Sequence, residues 1–137
     1  MVTFLYERDQ TARHIYLNEE HPEHITPSYF GHSVGHYEGD QLVVETIGLN
    51  DKTPIDRFGT PHSESLRVEE RYRIVEEWKT IEVYVTVTDP ENFTTPWSAR
   101  ASYARTNGEW EKFICAENNR NTENELYPIP MDDTPDF

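Results

Sequence analysis

The residues of this chain best suited to chemistry are six histidines, one strand-borne carboxylate and a scatter of asparagines. His32, His62 and Glu64 form the first constellation. His32 lies in the third alternating segment, and His62 and Glu64 stand at the start of the fifth, so a curled sheet can bring them together. An imidazole beside a carboxylate acts as a general acid or base near neutral pH. Two imidazoles and a carboxylate are equally a ligand set for zinc, iron or copper. No dense H-x-H or H-E-x-x-H spacing accompanies them. His32 and His36 share one side of a strand but stand roughly 13 Å apart at ~3.3 Å per residue, too far to grip one ion. His21 and His24 are neighbours in a polar loop, where only Glu19, Glu20 or Glu23 is at hand as a third donor.

Glu70 is the second focus. It shares a strand face with Leu66, Val68 and Tyr72, and an inward face would carry its carboxylate into the interior. A buried carboxylate needs a partner, and such a group is a natural acid or base. The opposite face reads Arg67, Glu69, Arg71, Arg73, the pattern of cross-strand ion pairs in solvent. Asn50, Lys52, Glu117 and Asn119 offer amide and charged groups to a hydroxylated ligand, with Tyr72 and Trp97 as an apolar wall. Gly31-His32-Ser33-Val34-Gly35 matches the G-x-S-x-G nucleophile elbow. That elbow requires a helix after the serine; here a tight turn and another strand follow, so the glycines read as relief of crowding in a bent strand. The single cysteine, Cys115, sits in an apolar strand pattern as a small hydrophobe and permits no intramolecular disulfide.

The elements that must position these groups are strands. Eight segments alternate apolar and polar residues, at 2–6, 13–17, 29–37, 41–49, 64–75, 80–88, 96–105 and 110–116. A period of two means one buried face. Turn signals separate them, among them Glu38-Gly39-Asp40, Asp89-Pro90 and Asn107-Gly108. The connections are too short for crossover helices, which predicts an all-β, antiparallel up-and-down meander of about eight strands closing into a small barrel; the alternative is a two-sheet β-sandwich. The loop at 50–61 is long and carries the candidate Lys52 near the barrel mouth. Residues 1–121 read as the barrel domain and 122–137 as a proline-rich acidic arm.

A formal charge of −14, from 26 acidic against 12 basic residues, argues against nucleic acid and anionic membranes as partners. No apolar stretch approaches the ~20 residues of a membrane span. The start, MVTFLYERDQ, lacks the basic and long apolar regions of a signal peptide. Homodimerisation is a further expectation, since small sheets with exposed edges pair readily.

Several strings resemble a family of uncharacterised bacterial proteins, usually secreted. They are Gly31-His32-Ser33-Val34-Gly35, Tyr37-Glu38-Gly39-Asp40, Leu42-Val43-Val44-Glu45-Thr46 with Gly48 and Asn50, Pro61-His62-Ser63-Glu64 with Glu69 and Arg71, Asp89-Pro90 with Pro96-Trp97, and Cys115 with Glu117-Asn118-Asn119. The match runs over about residues 30–120 and resembles that family's C-terminal domain. The family usually has a tryptophan at the position of Tyr37 and a basic residue at that of His36. The resemblance implies a secreted or periplasmic setting and points to His32, Asn50, Lys52, His62, Glu64, Glu117 and Asn119, without bringing an activity. By architecture alone the barrel is similar to lipocalins. These features together predict a small-molecule-binding barrel, an enzyme using histidine–carboxylate acid–base chemistry on a small polar or carbohydrate-like substrate. The catalytic candidates are His32, His62, Glu64 and Glu70. The alternatives are a metal-dependent oxidoreductase or hydrolase with one transition metal on His32, His62 and Glu64, and a non-catalytic ligand-binding or dimerisation module.

Overall fold

The computed structural model describes residues 1–7 and 10–109. These residues form seven strands: β1 (Val2–Tyr6), β2 (Thr11–Leu17), β3 (His32–Glu38), β4 (Gln41–Ile47), β5 (Arg67–Val75), β6 (Thr80–Thr88) and β7 (Trp97–Ala104). They lie in chain order in one sheet, which curls into a half-barrel, and no helix forms among the described residues. The all-β expectation holds, as one curled sheet and not as two stacked ones. The expected eighth strand at 110–116 and the arm at 122–137 fall outside the described residues.

Alternation decides which side chains line the hollow. β5 sets Val68, Glu70 and Tyr72 opposite Thr46, Val44 and Leu42 of β4 on one flank and Val87, Val85 and Val83 of β6 on the other. Ile15, Leu42 and Val44 form the core, with Val2, Phe4, Leu17 and Tyr72 packed against them. Burying such a side chain is worth about 1.5–3 kcal/mol. The reverse face of β5 carries the expected ion pairs, Arg67 with Glu45, Arg71 with Glu38 and Glu69, and Arg73 with Asp40, and Arg100 pairs with Glu82 beside them.

One connection corrects the meander. β2 and β3 pair in parallel, Ile15 to Ser33 through Leu17 to Gly35, while the other neighbours are antiparallel. The segment at 18–31 is long enough to carry the chain back to the start of the next strand, so no hairpin forms there. It is tied down along the way. Asn18 N–H donates to Gly35 O at 2.8 Å, Ser28 N–H to Gly48 O at 3.0 Å, and Asn50 N–H to Ser28 O at 2.9 Å. Ile25 packs on Gly48, whose φ of +69° and lack of a side chain make room for it. Val43, pointing away from the core, is only 4 % exposed, so the Leu42-Val43-Val44 run is buried on both faces.

At the other end of β5 and β6, Asp89 gathers two turns. Its carboxylate accepts from Ser63 N–H at 2.7 Å, Ser63 Oγ at 2.8 Å, Glu91 N–H at 3.1 Å and Asn92 Nδ2 at 3.0 Å. Burial opposes its charge, but these donors outweigh burial and hold its pKa down at about 2. A folded-state pKa below the usual 3.8 means that the carboxylate's stabilisation is complete above that value and disappears as the pH falls through about 2. Asp89→Ala is expected to cost about 1–3 kcal/mol in a denaturant titration at neutral pH, a difference from wild type that shrinks once the pH falls below 3.8. A difference independent of pH would contradict this role.

Candidate functional site

The hollow is organised around a guanidinium. Arg13 shares the concave side of β2 with Ile15 and Leu17, a basic residue in an otherwise apolar row. Its Nε donates to Ser33 Oγ at 3.1 Å and its Nη2 to Thr46 Oγ1 at 2.6 Å. The same Nη2 makes a close ion pair with Glu70 Oε2. Tyr72 OH donates to the other Glu70 oxygen at 2.7 Å, and Ser33 and Thr46 share a hydrogen bond of 2.8 Å. Arg13 and Glu70 side chains are only 12 % and 13 % exposed. Burial works against the charge on Arg13, but Glu70's hydrogen bond and charge overcome it and raise the pKa further. Burial, then the facing Glu70 carboxylate, raises the Tyr72 hydroxyl, which therefore stays a neutral donor.

A cleft of ≈ 190 Å³ opens above this network. Arg13, Thr46 and Glu70 supply its polar lining and Tyr6, Tyr29, Phe30, Leu49 and Val68 the rest. Tyr29 and Phe30 are 61 % and 47 % exposed, large rings left in water beside it. They stand here because Ser28 is bridged to Leu49. A second cleft, ≈ 160 Å³, is lined by Arg13, His14, Tyr16, Phe30 and His32. The two clefts share Arg13 and Phe30.

His32 belongs to an array on the reverse face. Its ring stacks on Tyr16 at 5.0 Å and 7°. Its Nδ1 is 2.9 Å from Nδ1 of His21, carried there by the 18–31 segment. His21 Nε2 is 3.2 Å from Glu45 Oε1, off hydrogen-bond alignment. Glu45 is held by Arg67 at 2.9 Å. Burial, only partly offset by Glu45, lowers the His21 pKa, and the nearby His32 adds to the effect, so His21 is a neutral imidazole at neutral pH.

The other sequence candidates scatter. His62 is buried, with Nδ1 3.0 Å from Ser63 O. Glu64 is exposed in the turn before β5. His32, His62 and Glu64 therefore do not make a metal site. His32 is engaged with Tyr16 and His21, His62 lies in the turn that Asp89 gathers, and among the described residues no three His, Cys, Asp or Glu side chains are placed to hold an ion. Asn50 is buried and its Oδ1 accepts from Lys52 N–H at 3.2 Å, closing a local turn; Lys52 itself is exposed. Trp97 faces Val87 and meets Phe93 edge-on at 6.1 Å. Glu117 and Asn119 lie outside the described residues. Ser33 is the second residue of β3, bonded to Thr46 and Arg13, and is no nucleophile elbow. Gly35 is small because a Cβ there would come within 2.9 Å of Ile15.

Of the predicted groups among the described residues, Glu70, Tyr72 and His32 take part in the two arrays. Arg13, His21 and Glu45 complete them. Arg13 carries a legible signal, a charge at the period-two spacing of Ile15 and Leu17. Compared with known proteins, the chain matches no family model, no curated protein and no solved structure, so its function has to be read from these side chains.

Removing one partner of the buried pair strands a charge, whereas replacing both does not. Arg13→Met alone is expected to cost about 3–5 kcal/mol in chemical denaturation, and Arg13→Met with Glu70→Leu to recover most of that loss. Additive losses in the double variant would show that the two side chains do not act as a pair.

Proposed function

We propose that the protein binds a small polar, carbohydrate-like molecule across the two clefts and acts on it by acid–base chemistry, with His32 as the base. The observation that carries this reading is the row Glu45, His21, His32, with its 2.9 Å contact between ring nitrogens. A carboxylate beside His21 Nε2 favours the proton on that nitrogen, which leaves Nδ1 as an acceptor. His32 then donates from its own Nδ1, and its Nε2 becomes the basic nitrogen. Positioning by a carboxylate through an imidazole is how hydrolytic enzymes fix a tautomer. Stacking on Tyr16 holds the ring's plane. Arg13 and Glu70 give a ligand one donor group and one acceptor group in a setting of low dielectric. Tyr29 and Phe30, exposed beside the cleft, suit the apolar face of a sugar ring.

A ligand-observed NMR screen of mono- and disaccharides and sugar acids is expected to return binders that Phe30→Ala weakens about tenfold. Turnover of such a binder, or of its activated glycoside or ester, should fall about 10²–10⁴-fold in His32→Gln. A screen without binders, or turnover unchanged by His32→Gln, contradicts the reading.

A further inference from the structure

The contact between His21 and His32 has a second chemical use. Two imidazole nitrogens that face each other through one shared hydrogen are also the two donors of a metal chelate. We infer that Nδ1 of His21 and Nδ1 of His32 together take a divalent transition-metal ion, zinc or copper, in place of that hydrogen bond.

The nitrogens are already close, and the rings must turn so that their lone pairs meet at a point beside the present line of contact. Zinc–nitrogen bonds of 2.0–2.1 Å at a tetrahedral angle set the nitrogens roughly 3.3 Å apart, against 2.9 Å here. The rings already lie at 66° to each other, not stacked, so both lone pairs can turn to a common point. His32 is anchored by β3 and Tyr16, and His21 is on a segment outside the strands, so the turn falls to the His21 ring. The far nitrogen of His21 lies 3.2 Å from Glu45, off hydrogen-bond alignment, so a carboxylate stands behind that ring and favours the proton on Nε2 by its charge. Arg67, paired with Glu45 at 2.9 Å, keeps that carboxylate in place and is a positive charge felt by His21. The protein supplies two donors, since no third His, Cys, Asp or Glu joins them among the described residues, and water fills the other positions. Imidazole pairs of this kind suit copper and zinc over magnesium or calcium, which take oxygen.

The proton balance gives the site a consequence. His21 Nδ1 is already unprotonated, its lone pair accepting from His32. His32 binds through Nδ1 only when its proton moves to Nε2; no proton leaves the ring, and the only charge the site gains is that of the ion. Nε2, the basic nitrogen in the free protein, then carries the proton and cannot accept another. Metal occupancy thus silences the base. That consequence rests on the acid–base reading above; the binding itself does not.

Isothermal titration of the metal-free protein with zinc chloride, and separately with copper(II) chloride, tests the binding without any activity. One ion per chain is expected, with affinity reduced at least about tenfold in His21→Gln and in His32→Gln and unchanged in His24→Gln, an exposed residue of the same segment. Should His32→Gln fail to fold, His21→Gln decides, because it alters only the 18–31 segment. No binding at millimolar metal, full binding by His21→Gln, or loss of binding in His24→Gln overturns the inference. Metal binding with turnover unaffected would keep the site and overturn only its link to catalysis.

Discussion

One guanidinium holds four strands to a common geometry. The β2–β3 ladder is short, running from Ile15 to Leu17 on one side and Ser33 to Gly35 on the other. Toward the start of β2 no further residue is in register with β3 among the described residues, and there Arg13 reaches across. It bonds to Ser33 of β3, Thr46 of β4 and Glu70 of β5. A charge in so dry a place persists because a carboxylate and two hydroxyls satisfy it. Both clefts include this side chain in their walls, so the feature that closes the sheet at this point also makes its hollow polar.

The parallel pairing has a second result. It obliges the chain to return over residues 18–31, and that return delivers His21 to the reverse face beside His32 and Glu45, then Tyr29 and Phe30 to the cleft. A hairpin between β2 and β3 would leave His32 without a neighbouring imidazole and the hollow without its exposed rings. Sheet topology, more than any local motif, thus assembles the candidate site.

Much of the fold is legible in the residues. Period-two alternation locates each of the seven described strands, and the row Val68, Glu70, Tyr72 announces a carboxylate on the inner face. Long-range pairings are what stays hidden. Nothing local says that Arg13 finds Glu70, because strand neighbours are set by tertiary packing. Length alone does not reveal whether the link at 18–31 turns back or returns, so its residues suggest only a loop within a meander. The grouping of His32 with His62 and Glu64 fails for a related reason. His32 faces the outside of the sheet, while the 61–66 turn is drawn toward Asp89 by its hydrogen bonds to Ser63. Asn50, a ligand contact by its residue type and place, is used by the backbone of its own turn.

The chemistry at His32 depends on the protonation order along Glu45, His21 and His32. Long-range proton–nitrogen correlation NMR of the imidazole rings reads that order directly. The expected spectrum has His21 protonated on Nε2 and His32 on Nδ1 at neutral pH, with His32 Nε2 showing the shift of an unprotonated ring nitrogen that collapses toward the tautomer average in His21→Gln. His32 protonated on Nε2, or a ring averaged between tautomers in the wild-type protein, would contradict it.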